Sequence, residues 1–150
     1  MELYIELDTF SPIDSFRFYD EDGKIIYKGE CDLTLHPICY VYKNKQQIGT
    51  IQQHSKVVPD FTLYLNEKEI GKIDKDLTLF KPIYNIRFND WRVEGDPIGY
   101  DYQIYDNHNK KVMSFYKESI FRKNYCLKIN DKLNEEVCVL IVIAILMGGK

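Results

Sequence analysis

Five cations in one stretch of the chain, Lys110, Lys111, Lys117, Arg122 and Lys123, are the side chains best suited to bind a ligand. An anionic head group needs two or three ammonium or guanidinium groups converging on its oxygens. Lys110 and Lys111 follow an expected turn, and Arg122 and Lys123 fall in the next loop, so a hairpin could carry them to one end of the molecule. The plain alternative is a solvated loop with ordinary lysines.

Other groupings are weaker. Cys31, His36 and Cys39 are close enough to suggest zinc, but alternation sets Cys31, Leu33 and Leu35 on one strand face and His36 on the other. No fourth ligand stands at finger-like spacing, so buried thiols are the simpler reading. Cys138 is expected in an apolar core and Cys126, near Lys128, toward solvent. Asp20-Glu21-Asp22-Gly23 lacks the spaced oxygens and closing Glu of a calcium loop and reads as a hairpin turn. Glu94-Gly95-Asp96 runs into Pro97 and also marks a turn, while His54 and His108 have no Ser or Cys partner. There is no phosphate loop and no dinucleotide fingerprint. No catalytic residue, metal or cofactor is therefore expected. Trp91 is expected to pack in a wall or at its end.

The elements that must carry these residues are mostly strands. Leu3–Leu7, Phe16–Phe18, Lys24–Tyr27, Cys31–Leu35, Ile38–Lys43, Gln47–Gln53, Phe61–Leu65 and Glu69–Ile73 alternate in the manner of strands. So do Ile83–Phe88, Trp91–Glu94, Tyr100–Tyr105, Lys111–Lys117 and Asn124–Ile129. Pieces of this length recurring every 8–12 residues indicate a sandwich or barrel. Two hairpins repeat: Tyr42-Lys43-Asn44 through Ile48-Gly49-Thr50-Ile51 matches Tyr64-Leu65-Asn66 through Ile70-Gly71-Lys72-Ile73. Tyr19–Lys24 is echoed by Tyr105–Lys110. If Cys39 and Val41 face inward, Tyr40 and Tyr42 face outward; the opposite parity is the alternative.

The end of the chain differs. Val137 to Met147 is unbroken apolar sequence, preceded by Asn134-Glu135-Glu136 and followed by Gly148-Gly149. Asn134 suits an N-cap, the glutamates suit the positive end of a helix dipole, and the glycines can end a helix. Val and Ile favour strands, yet the run is long for one. A helix apolar all round must be enclosed by lipid or protein. This run covers about 16 Å, whereas a bilayer core of about 30 Å needs about 20 residues. It is therefore too short to span a membrane and calls for a closed sheet wrapped around it.

The net charge of −3 and pI near 5.6 argue against a nucleic-acid binder, which usually carries a basic balance. The start, Met1 to Phe10, has neither a cationic n-region nor an apolar h-region. A cytoplasmic location with reduced cysteines is the expectation.

Trp91-x-Val93-x-Gly95-Asp96, then Tyr100-Asp101-Tyr102-x-Ile104, Asp106, Lys110-Lys111-Val112, Lys117, Tyr125 and the apolar tail resemble the LURP-one-related family, as a bacterial member. Phe16 to Lys28 fits that family's first hairpin. The resemblance spans nearly the whole chain. It implies a single domain with the tubby C-terminal-like fold, shared with tubby domains and phospholipid scramblases. That fold is a closed antiparallel β-barrel of about twelve strands around a buried hydrophobic C-terminal helix. The functional implication is by association only. The chain is expected to be a non-enzymatic binding module, cytoplasmic or peripheral at a membrane. It would recognise a protein partner or an anionic phospholipid head group on its outer surface. The alternatives are a scaffold subunit without ligand and an enzyme whose site is assembled from distant loops.

Overall fold

Apolar–polar alternation resolves into twelve antiparallel strands and one helix in a computed structural model that describes residues 1–8, 13–32, 35–76, 83–117 and 124–149. The strands are β1 (Glu2–Asp8), β2 (Ile13–Tyr19), β3 (Ile25–Asp32), β4 (Ile38–Lys43), β5 (Gln46–Ser55) and β6 (Asp60–Leu65). They continue with β7 (Lys68–Asp76), β8 (Ile83–Arg87), β9 (Arg92–Asp96), β10 (Asp101–Tyr105), β11 (Lys111–Lys117) and β12 (Asn124–Ile129). A 3-10 turn, Lys132–Asn134, leads into α1 (Glu135–Gly148).

Consecutive strands pair except β8 and β9, and β1 pairs with β12, which brings the sheet round on itself. The sheet order runs from β8 through β1 and β12 to β9, so the barrel is nearly closed, with its seam between β8 and β9. The meander sorts the connections to two ends. At one end are the tight turns 20–24, 44–45, 66–67, 89–90 and 106–110, together with the start of α1. At the other are residues 35–37, the connections 56–59 and 97–100, the start of β8 and the last residues of α1. We call these the turn end and the loop end.

The helix explains the curvature. Every residue from Val137 to Gly148 is buried. Each large aliphatic side chain among them contributes roughly 1.5–3 kcal/mol when removed from water. The wall supplies the complement from its inward positions, including Leu3, Ile5, Phe16, Phe18, Val41, Ile51, Phe61 and Leu63. Two strand glycines let the helix come close. A Cβ on Gly29 would stand 3.3 Å from Ile143 Cδ1. One on Gly49 would stand 3.2 Å from Leu140 Cδ2 and 2.6 Å from the Tyr64 carbonyl oxygen. Cys39 and Val41 are buried while Tyr40 is exposed, so the first of the two parities holds for β4.

Both repeats are structural. Asn44-Lys45 and Asn66-Glu67 carry positive φ at both positions, the type I′ geometry that joins strands without splaying them. In the other pair, Asp20 Oδ1 accepts the N–H groups of Asp22 and Lys24, both at 2.9 Å. Asp106 Oδ1 accepts those of His108 and Lys110 at 2.8 and 2.9 Å. The 20–23 acidic run is thus a turn whose first carboxylate is engaged by its own backbone.

Four local expectations are corrected. The pieces Lys24–Tyr27 and Cys31–Leu35 are one strand, β3, with Gly29 inside it rather than between two strands. Leu35 lies beyond that strand and is exposed. Asn134 makes no capping bond; Asp131 instead accepts Leu133 N–H at 3.1 Å and the Asn134 amide at 2.8 Å. Cysteine chemistry is the fourth. Cys31 and Cys39, directly opposed across β3 and β4 with Cα atoms 3.9 Å apart, are joined as a disulfide rather than reduced. Cys138 is buried as expected, but so is Cys126, whose cross-strand neighbours Tyr4 and Tyr116 flank it on the wall.

Aromatic rings line the inner wall of β10–β12. Tyr102 stacks on Phe115 at 5.0 Å, and Phe115 stacks on Tyr125 at 5.4 Å. Trp91 is buried and meets Phe88 edge-on at 4.7 Å beside the seam, a packing role as the sequence suggested. The Tyr102 hydroxyl is buried with no hydrogen-bond partner among the described residues. Burial pushes Tyr84 up to about 12 and Cys138 up to about 12, and raises Tyr102 and Tyr125.

Three outcomes follow from this core. Ile143→Asp should abolish cooperative folding, because it places an unpaired charge in a dry interior; a monomer with a sharp melt by circular dichroism would contradict the threaded helix. Tyr102→Phe should raise the melting temperature. It keeps the stack on Phe115 and removes an unsatisfied hydroxyl whose burial costs about 1–3 kcal/mol, at about 2–4 °C per kcal/mol for a chain of this size. Alkali should destabilise the fold. Burial pushes the Tyr84 phenol up to about 12 in the fold, against about 10 for a solvated tyrosine, so its protonated form stabilises the native state fully below about 10. That contribution is lost as pH rises through 12, and melts taken upward from about pH 8 should show a falling midpoint above about pH 9–10, where Cys138 and the tyrosines of the unfolded chain ionise.

Candidate functional site

The turn that fixes Lys24 and the turn that fixes Lys45 stand one hairpin apart at the turn end. Lys24 is held where its own N–H reaches Asp20 Oδ1, with Gly23 at φ +80 completing the bend. Lys45 occupies the second left-handed position of the Asn44-Lys45 turn, at φ 71. Between them, β3 and β4 present Lys28 and Tyr42 as directly opposed residues on the outer face. These residues, with Ile25, Ile26 and Asn44, line a cleft of about 440 Å³. Its floor is apolar: Ile26 and Tyr42 are half-buried, and Ile25 is 45% exposed.

The electrostatics of the cleft are uneven. Lys28 Nζ is engaged by Glu30 at 3.1 Å. Lys24 and Lys45 have no ion-pair partner among the described residues, and both are exposed. Two unneutralised ammonium groups over an apolar floor can take an anion joined to an apolar body. The neighbouring cation, Lys43, is already committed. It lies 3.7 Å from Glu136 at the helix start and 5.5 Å from the centre of the Tyr27 ring. That contact ties the first turn of α1 to the wall.

Of the five cations singled out in the sequence, the three that the structure describes do not gather at one place. Lys110 and Lys111 sit together, exposed, at the Asp106 turn. The backbone N–H of Lys110 and that of His108 hold the Asp106 carboxyl below its ordinary range. Lys117 closes the same strand at its other end, so six steps of strand, about 20 Å, separate it from Lys111. It therefore belongs to the loop end. Arg122 and Lys123 lie outside the described residues. The zinc idea has a positive counter-observation: the two sulfurs are bonded to each other, and His36 is exposed on the loop beyond β3. Glu94, Gly95 and Asp96 are strand residues of β9, and Glu94 accepts Arg92 Nε at 2.9 Å.

Sequence reasoning passed over Lys24, Lys28 and Lys45 because each is an isolated lysine. The available signal was the two turn signatures, Asp20-x-x-Gly23-Lys24 and Asn44-Lys45, which fall at the same end once one strand-loop-strand step separates them.

Among the described residues, no helix is long and apolar enough to cross a membrane. An uncharacterised protein of Bacillus subtilis (strain 168), YxjI, is 24% identical over 148 residues, covering 97% of this chain and 91% of its own. An X-ray structure of a protein from Arabidopsis thaliana has the same fold, with a TM-score of 0.63 at 11% identity, covering 95% of this chain and 89% of that one. The twelve-stranded, helix-threaded barrel implied by the resemblance is the fold observed. A family model described as LURP-one-related matches residues 1–146, and the chain belongs to the LURP-one-related family.

Proposed function

We propose that this chain is a binding module that receives an anionic head group, carried on an apolar body, in the outer cleft between the Asp20–Lys24 and Asn44-Lys45 turns. The family and the fold support a binding-type module rather than a catalytic one. The buried helix occupies the barrel interior, which favours recognition on the outer surface over a carrier's internal site. The observation that carries the reading is the pair Lys24 and Lys45. They have no ion-pair partner among the described residues and stand at the rim of a cleft of about 440 Å³ floored by Ile25, Ile26 and Tyr42. The lysines supply the attraction to phosphate, and the floor supplies contact for the chain attached to it.

The test is flotation with phosphatidylcholine vesicles containing phosphatidic acid, against phosphatidylcholine alone. The chain should float with the anionic vesicles at low salt and less at physiological salt, where screening shortens the attraction. Lys24→Glu with Lys45→Glu should cut the bound fraction roughly tenfold, equivalent to about 1.4 kcal/mol. The melt should be almost unchanged, since isolated surface changes stay within about 0.5 kcal/mol. Lys110→Glu with Lys111→Glu is the comparison variant: loss there alone would move the site to the Asp106 turn. No flotation at low salt would eliminate a lipid ligand.

A further inference from the structure

We propose that the loop end of the barrel is a docking face for a cationic amphipathic segment of a partner protein. The face is separate from the anion cleft at the other end. Its first ingredient is exposed apolar surface on four successive connections. Leu35 is 83% exposed, Val57 85%, Val58 42%, Ile83 48% and Ile98 47%. These follow one another around the barrel, from the β3–β4 connection through β5–β6 and the start of β8 to β9–β10. Single exposed aliphatics are ordinary, but a succession on one end of a molecule marks a contact surface.

The second ingredient is charge. Each of those connections is bracketed by an aspartate at a strand end: Asp32 before Leu35, Asp60 after Val58, Asp76 before Ile83, and Asp96 and Asp101 on either side of Ile98. Asp96 and Asp101 are directly opposed across β9 and β10, and both are exposed with no cation partner among the described residues. Like charges opposed in this way destabilise a sheet pair, and an arriving cation relieves them. Asp60 faces Asp74, whose carboxylate is taken by Arg87 Nε at 2.9 Å. Asp76 accepts the Asn85 amide at 2.7 Å. Among the described residues, the cations at this end are Lys56, Lys117 and Lys75, the last lying 5.6 Å over the Tyr84 ring. Among the described residues, these five aspartates against three lysines give the exposed aliphatics an acidic border.

That border selects the occupant. A second copy docked through the same face would set acid against acid. An anionic membrane would be repelled. A segment with an apolar stripe flanked by Lys or Arg satisfies both ingredients at once, with electrostatics fixing its orientation.

The test uses the full chain and two fluorescein-labelled helical peptides, one built from Leu, Ala and Lys and the other with Glu in place of Lys. Anisotropy should report binding of the Lys peptide, weakening as salt rises, and none of the Glu peptide. Leu35→Ser with Val57→Ser and Ile98→Ser should weaken binding at least roughly tenfold without altering the melt. Asp96→Asn with Asp101→Asn should flatten the salt dependence. Lys24→Glu with Lys45→Glu should change nothing here, which separates this face from the anion cleft. Equal binding of both peptides, full affinity in the triple serine variant, self-association through this face by sedimentation, or attachment of the loops to phosphatidylcholine vesicles would each overturn the proposal.

Discussion

A helix with no polar face cannot be left at a surface, and the rest of the molecule answers to that constraint. From Val137 to Gly148 there is no position that water could touch without loss, so protein must surround α1 on all sides. At 14 residues the helix is about 21 Å long, which a wall of strands five to ten residues long can cover. The inward alternation of the strands is the complement of that helix. Gly29 and Gly49 mark where Ile143 and Leu140 approach the backbone most closely.

Filling the barrel from within moves any recognition outward, and the two ends of the barrel present different chemistry there. At the turn end, paired strands are joined by tight bends built on Asn and Asp, which hold short polar side chains and lysines at fixed positions. At the loop end, Pro37, Pro59 and Pro97 interrupt the ladder, and the carbonyl oxygens of the first two accept backbone N–H groups from the strands beyond. Aliphatic residues stand exposed beside them. One meander thus yields a basic, partly apolar cleft toward one end and an acidic-bordered apolar rim at the other.

The seam between β8 and β9 belongs to the same logic. Consecutive strands joined by the Asn89-Asp90 turn would ordinarily continue as a hairpin, and Trp91 N–H does reach the Phe88 carbonyl at 3.0 Å. Beyond that bond the sheet order ends on either side. Trp91 and Phe88 pack edge-on beside the gap, and a cavity of about 360 Å³ lined by Tyr84, Ile86 and Val93 lies along it. A twelve-stranded wall closing around a single helix has eleven ladders fixed by hairpins and by β1–β12 pairing, and the twelfth is where residual mismatch collects.

What the sequence determined by itself is the set of properties that depend on near neighbours. Alternation in Leu3–Leu7 or Ile38–Lys43 names a strand and its inward face, because side chains two apart share a face whatever the partner strand is. The Asn44 and Asp20 signatures name turns, because the bend is made within a few residues. The apolar run names a helix too short for a bilayer, from length and composition alone, and the family resemblance supplied the number of strands. The tertiary structure decided what depends on distant partners. Gly29 read as a break, but opposite Ile143 it is the centre of β3. Cys126 read as exposed, but Tyr4 and Tyr116 on adjoining strands cover it. Cys31 and Cys39 became a pair only when register set them face to face. Lys111 and Lys117 are close in sequence yet lie at opposite ends of a strand, while Lys24 and Lys45, distant in sequence, line one cleft. Spacing along a chain fixes which face a side chain takes, but only the pairing of strands fixes what it stands beside.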